Sequence, residues 1–117
     1  MSPEQLKKRT KAYALEVMRQ VDVLPKEVCA SVLGRQLLRS GTSVGANYRA
    51  ACRARSHADF ISKLGICEEE ADETLYWMEL LTESGKVPKE TMASLMKEGN
   101  EILAIICASL NTARSRS

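Results

Sequence analysis

The sequence has little of what most enzymes and metal proteins need. It contains one histidine, His57, and four scattered cysteines, so neither a C-x-x-C metal pair nor a cysteine and histidine acting as nucleophile and base is indicated. The Glu-x-x-His motifs of di-iron bundles are also absent. We therefore predict no catalytic residue, no metal and no cofactor. The acidic run at residues 68–73 leaves acid-base catalysis as an alternative, although such a run is usually a solvated or ion-paired face.

Proline, aromatic residues and long apolar runs are also scarce. Proline occurs only at positions 3, 25 and 88, and few residues are aromatic, a profile that favours helices. No apolar run approaches 18 residues and no basic-then-apolar leader follows Met1, so neither a membrane span nor a signal peptide is indicated. We expect one cytoplasmic domain whose thiols are reduced and mostly buried.

Capping patterns and apolar spacing divide the chain into four helices. Ser2-Pro3-Glu4-Gln5 and Ser56-His57-Ala58-Asp59 are typical helix starts, and Gly85 is placed to cap a helix end. Between these signals the apolar residues recur at helical spacing. The predicted helices cover residues 3–22, 27–55, 57–84 and 88–111, followed by a polar tail at 112–117. Together they predict an all-α, single-domain, antiparallel up-down four-helix bundle.

The stretch RSGTSVGANYRAACR, residues 39–53, contains two glycines four residues apart. A phosphate-binding P-loop needs a different glycine spacing, a lysine and a preceding strand, and none of these is present. We therefore place Gly41 and Gly45 inside the second helix, at a close approach to another backbone. Thr42 and Ser43 are expected to bond to carbonyls one turn earlier, and Asn47 is placed where its amide could bond a neighbouring helix.

Charge is unevenly distributed along the chain. Residues 1–55 contain eleven Lys or Arg and four Asp or Glu, whereas residues 56–85 contain one Lys and eight Asp or Glu. On a helical wheel, Arg35, Arg39, Arg49 and Arg53 lie opposite the predicted core face of the second helix. This stripe suits several phosphates or an acidic helix, and a merely solvated basic face is the alternative. The residues predicted to bind nucleic acid are Lys7, Lys8, Lys11, Arg35, Arg39, Arg49, Arg53 and Arg55.

The third helix carries a second apolar stripe on the side opposite its predicted core seam. One bundle core cannot bury both sides, so this stripe predicts self-association. Its glutamates would meet arginines of a neighbouring subunit, and head-to-tail contact between two different faces closes into a ring. The predicted oligomer interface comprises Ile66, Glu69, Glu73, Tyr76, Trp77 and Leu80.

The second and third helices also resemble a known family. The stretch RSGTSVGANYR at 39–49 carries the resemblance, together with Ala51, Ser56, Asp59-Phe60, Lys63-Leu64, Glu70-Ala71, Glu73-Thr74, Trp77 and Leu80-Leu81. It is similar to the bacterial four-helix-bundle proteins encoded within 23S rRNA intervening sequences and to accessory proteins of diversity-generating retroelements. The resemblance implies a small up-down bundle that assembles as a homopentamer. In the retroelement relatives it also implies a basic surface that engages nucleic acid and a reverse transcriptase.

The sequence thus predicts a non-enzymatic, homo-oligomeric scaffold that binds RNA or DNA. No aromatic residue interleaves the arginine stripe except Tyr48, which points to the core, so we expect contact with phosphates rather than base stacking. The alternative is a protein-interaction or structural ring with no nucleic-acid role.

Overall fold

Four helices make up nearly all of the described chain. The structure, a computed structural model, describes residues 1–116. Within them, α1 spans Pro3–Asp22, α2 spans Val28–Cys52, α3 spans His57–Glu83 and α4 spans Lys89–Ser115, and no strand is present. Successive helices pack against one another, and α1 also contacts α4. The prediction of an all-α, single-domain bundle of four helices is confirmed, and the bundle is 46 Å long and 21 Å across.

The helix starts follow from the capping residues. The Ser2 hydroxyl accepts a hydrogen bond from the backbone N–H of Gln5 at 3.2 Å, and the Gln5 side chain accepts one from the backbone N–H of Ser2 at 2.8 Å. The Ser56 hydroxyl accepts from the backbone N–H of Asp59 at 3.1 Å. These bonds satisfy amide groups that have no partner within the helix. After α3, Gly85 has a φ of 80°, the left-handed conformation that glycine adopts at helix ends.

Two helix ends differ from the predicted ones. The second helix ends at Cys52 rather than at 55, because Arg53 and Ala54 donate to carbonyls only three residues back and Ser56 then caps α3. The last helix runs to Ser115 rather than to 111, so the predicted polar tail at 112–117 is wrong for the residues up to 115. Ala113 is buried there, and the Nε2 atom of His57 lies 2.8 Å from its carbonyl oxygen. Ser117 is outside the described residues.

The core lies along the shared axis of the helices. Each helix contributes fully buried side chains, among them Val17, Leu37, Leu64, Met78 and Ile106. Two buried hydroxyls link α2 and α3, since Thr74 Oγ1 donates to Ser40 Oγ at 2.9 Å. Thr74 Oγ1 is also 2.7 Å from the carbonyl oxygen of Glu70, so both polar groups are satisfied inside the core.

The glycines of α2 allow α1 to approach closely, as the sequence predicted. A Cβ atom at Gly41 would lie 2.8 and 2.9 Å from the two methyl carbons of Val17, and one at Gly45 would lie 3.1 Å from Thr10 Oγ1. Thr42 and Ser43 bond back to the carbonyls of Leu38 and Arg39 at 2.8 and 2.6 Å, as expected. This close seam sets how near the charged side chains of α1 come to those of α2.

Candidate functional site

A basic groove runs along the outside of the seam between α1 and α2. Its volume is about 430 Å³. The lining residues are Glu4, Lys7, Lys8, Thr10, Lys11, Ala14, Thr42, Gly45, Arg49 and Arg53. Helical spacing places Lys7 and Lys11 one turn apart on α1, and it places Arg49 one turn before Arg53 at the end of α2. Five of the predicted nucleic-acid-binding residues therefore line one groove.

Most of the cations in the basic groove lack a protein partner. Lys7 donates to the Glu4 carboxylate at 3.1 Å. Among residues 1–116, no ion pair is formed by Lys8, Lys11, Arg49 or Arg53, all of which are exposed. Five positive charges and one negative charge give this groove a positive potential, which attracts anions.

A second groove lies on the other side of Arg49 and Arg53, between α2 and the start of α3. Its lining residues are Ala46, Arg49, Ala50, Arg53, Arg55, Asp59 and Lys63. Lys63 donates to both oxygens of Asp59, at 2.7 and 2.9 Å, and the backbone N–H of Arg55 donates to Asp59 at 3.1 Å. These bonds, the lysine first, lower the pKa of the Asp59 carboxyl. Arg55 keeps an exposed side chain without an ion pair in the described chain.

Neither groove offers an aromatic surface. Their linings include no Phe, Tyr or Trp among the described residues, and Tyr48 is buried in the core. Groups on this surface can thus attract phosphates, but no aromatic side chain among the described lining residues can stack on a base.

Arg39 lies in the same predicted stripe but has carboxylate partners. Its guanidinium donates to Glu70 at 2.8 Å and to Glu73 at 2.5 Å, both on α3. These contacts, led by the hydrogen bond to Glu70, raise the pKa of Arg39.

Asn47 also differs from its prediction, in which its amide bonds a neighbouring helix. The amide instead donates to the Ser43 carbonyl of its own helix at 2.8 Å.

Arg35 is separated from the basic groove. It is exposed and lines a cavity at the connection between α1 and α2, together with Lys26, Gly34 and neighbouring residues. The structure thus brings together six of the eight predicted residues around Arg49 and Arg53, and leaves Arg35 and Arg39 outside that cluster.

A second paired arginine, Arg9, joins α1 to α4. Its Nε and Nη2 atoms each donate to Glu98 at 2.7 Å, and Nη2 also donates to Glu101 at 2.9 Å. The hydrogen bond to Glu98 is the main cause of a raised Arg9 pKa. Sequence reasoning gave Arg9 no role, because its partners are 89 and 92 residues away and no local pattern links them. Arg9 and Arg39 are called the clamp arginines below.

The predicted apolar stripe of α3 is only partly exposed. Ile66 and Tyr76 are 41% and 52% exposed, and Glu69 is exposed as well. Leu80 is half-buried. Trp77 departs from the prediction, because it is half-buried and packs against the bundle's own core. The Tyr76 ring lies edge-on to the Trp77 ring, with 5.3 Å between the ring centroids.

One glutamate of this stripe, Glu73, also differs from the expected arrangement. Glu73 was expected to meet an arginine of another subunit, but it already pairs with Arg39 of its own chain. Ile66, Glu69 and Tyr76 are therefore the members of the predicted interface that remain most available for a partner.

The prediction that most thiols are buried is wrong, because Cys29 and Cys52 are exposed and only Cys67 is buried. No cluster of three or more potential metal ligands occurs in residues 1–116. Burial raises the pKa of the Cys67 thiol to about 12, and the Cys107 thiol donates to Glu68 at 3.1 Å. Within the same residues, no helix has the length and apolar content required to cross a membrane.

A family model and a solved structure each match the chain over nearly its full length. Residues 4–108 match the sequence model of the 23S rRNA-intervening sequence protein family. The chain is also similar to a crystal structure from Bacteroides thetaiotaomicron, described as a protein of unknown function from the S23 ribosomal protein family. The two are 37% identical with a TM-score of 0.84, and the match covers 90% of this chain and 97% of the other. No curated protein sequence matches the chain.

Proposed function

The chain belongs to the 23S rRNA-intervening sequence protein family, and from that premise we propose that it is a non-enzymatic scaffold that binds the backbone of RNA or DNA. The observation that carries the proposal is the basic groove, in which Lys8, Lys11, Arg49 and Arg53 are exposed and form no ion pair with residues 1–116. Unpaired cations that converge on one groove are what a polyphosphate backbone requires.

The recognition expected of this surface is independent of base sequence. Lysine and arginine bind phosphate oxygens by charge and hydrogen bonding. The grooves lack aromatic side chains for stacking, so affinity rests on electrostatic contact and the release of counterions.

A salt titration of binding tests this function. Fluorescence anisotropy with a labelled structured RNA and a labelled DNA duplex should give dissociation constants that rise steeply between 50 and 200 mM NaCl, by about 10³-fold for six phosphate contacts. Binding that is absent at low salt, or that does not change with salt, would contradict the proposal.

We further propose that the scaffold is a homo-oligomer, a pentameric ring, as the family resemblance implies. Ile66 and Tyr76 support self-association, since large exposed apolar side chains on a soluble domain often mark an interface. Such a ring would repeat the basic groove around its surface and raise the effective affinity for a long polyanion.

Light scattering tests the assembly. We expect a mass several times the 13.0 kDa of one chain, with Tyr76→Glu shifting the protein toward the monomer while circular dichroism keeps its helical signal. Glu79→Gln, an exposed change on the same helix, serves as the control. A monomeric unmodified protein contradicts the ring.

A second candidate function is a protein-interaction ring with no nucleic-acid role. The acidic outer surface of α3, with Glu69 and Asp72 exposed near Ile66 and Tyr76, favours it because such a face suits a basic protein partner. A role as an accessory to a reverse transcriptase or to an rRNA-associated element fits either candidate. The salt titration separates them, since only the first predicts salt-dependent nucleic-acid binding.

A further inference from the structure

We infer that the nucleic acid bound by this surface is double-stranded, with Arg49 and Arg53 facing a groove of the duplex and flanking cations contacting both strands. This inference rests on the proposed nucleic-acid binding and goes further by naming the form of the ligand. It follows from the position of the two arginines between two grooves, rather than from the amount of charge.

Arg49 and Arg53 form a ridge. Each of them lines both the basic groove beside α1 and the groove beside α3. Two alanines of α2, Ala46 and Ala50, also line the second groove, and their short side chains do not hold a ligand away from the arginines. The ridge therefore separates two grooves, each of which also carries cations from another part of the chain.

The two flanks carry separate cations. On the α1 side, Lys8 and Lys11 are exposed and unpaired. On the α3 side, Arg55 is exposed and Lys63 lies beside Asp59. Within the described residues, α1 and α3 each pack against α2 and not against each other, so the flanks stand on opposite sides of α2. With neighbouring helix axes about 8–10 Å apart, two helices across the diagonal of a bundle are about 11–14 Å apart, comparable to the major groove of a B-form duplex, about 12 Å. A duplex presents two phosphate rows across such a groove, one for each flank.

A single strand uses this surface less well. It offers one row of phosphates, which can follow one groove but contacts both flanks only by crossing the arginine ridge. Proteins that prefer single strands add stacking on aromatic side chains, with about 1–3 kcal/mol for each base, and neither groove has an aromatic residue. The arrangement therefore favours duplexes over unstructured strands.

The test compares an RNA duplex of about 20 base pairs, a DNA duplex of the same sequence and an unstructured single strand, by anisotropy over a NaCl series. At least one duplex should bind about 10-fold more tightly than the single strand. The RNA and DNA arms show which duplex geometry fits better, and preference for either one supports the inference.

Two variants probe the flanks. Lys11→Gln and Arg55→Gln should each weaken duplex binding about 2- to 5-fold and reduce the log-log salt slope by about 1. The single strand, held in one groove, should respond to only one of them. Lys26→Gln is the matched control, because Lys26 is an exposed lysine at the α1–α2 connection, away from both grooves.

The results that overturn the inference are specific. If the single strand binds as tightly as both duplexes, or if Arg55→Gln leaves duplex binding unchanged, the two-flank geometry is wrong while the proposed binding function stands. If no nucleic acid binds with salt dependence, the proposed function and the inference are both wrong.

Discussion

The two sets of arginines in this bundle have different surroundings. The clamp arginines, Arg9 and Arg39, each bond to two glutamates on a neighbouring helix. Arg49 and Arg53 are exposed and form no ion pair with a carboxylate of the described residues. Arg39 and Arg49 belong to the same helix, yet only Arg39 forms ion pairs with acidic residues of α3 among the described residues, because Asp59, which lines a groove with Arg49, pairs with Lys63. The residue type is thus a poor guide to function until the partners across the helix interface are known.

The largest expected effect is on binding by the ridge. The double reversal Arg49→Glu with Arg53→Glu removes two phosphate contacts and adds two repulsive charges, so nucleic-acid affinity should fall by about 100-fold or more at low salt. Fold stability should change little, because neither side chain pairs with the protein. Anisotropy and thermal unfolding measure the two effects.

The matched control for this reversal is Lys26→Glu with Arg35→Glu. It changes the net charge equally, but both residues lie at the α1–α2 connection. We expect a much smaller loss of affinity. Equal losses would mean that overall charge, rather than the ridge, decides binding.

The second expected effect is on the stability of the α1–α2 seam, which brings the lysines of α1 close to the arginines of α2. Gly41→Ala would place a methyl group 2.8 Å from a methyl carbon of Val17, a side chain with little rotational freedom. Overpacking costs about 1–3 kcal/mol, and the better helix propensity of alanine offsets about 1 kcal/mol. We expect a net loss of up to about 2 kcal/mol in the free energy of unfolding, measured by urea denaturation.

Gly65→Ala provides the control for the seam. Gly65 lies in α3, and nothing lies within 4 Å of an added Cβ. This change should stabilise the protein by up to about 1 kcal/mol. If both substitutions stabilise equally, α1 and α2 do not approach each other as closely as described.

The third expected effect is on the stability that the ion pairs of the clamp arginines provide. Arg9→Gln removes a two-pronged ion pair that is partly shielded from water, and should lower the free energy of unfolding by about 1 kcal/mol. Binding of nucleic acid should not change, since Arg9 lies outside both grooves. The exposed pair of Arg19 and Glu16 is the control, and Arg19→Gln should have almost no effect on stability. An Arg9→Gln variant with normal stability but weak nucleic-acid binding would contradict this prediction, because it would assign Arg9 to binding rather than to stability.

Much of the fold was predictable because its signals are local. Ser2 and Ser56 mark helix starts through bonds to residues three positions later, and apolar spacing identifies the four helices. The end of α4 was not predictable in this way, because Ala113 is buried by tertiary packing and its carbonyl lies beside the distant His57. The polarity of residues 112–116 indicated a tail instead.

Most residues of the candidate site could be predicted from the sequence, but their arrangement in space could not. Helical spacing correctly placed Arg49 and Arg53 on the outside of α2. It could not separate them from Arg39, because Glu70 and Glu73 are 31 and 34 residues away and their position depends on how α2 packs against α3. Trp77 was misplaced for a similar reason, since its wheel position lies near the edge of the core and only packing decides on which side it falls.

The most direct test of the account compares Arg39→Gln with Arg49→Gln in the salt dependence of nucleic-acid binding. Both changes remove one positive charge from the same helix. The account predicts that Arg49→Gln reduces the log-log slope by about 1, whereas Arg39→Gln leaves it unchanged. Equal slopes for the two variants, or a larger change for Arg39→Gln, would contradict the division between clamp arginines and binding arginines.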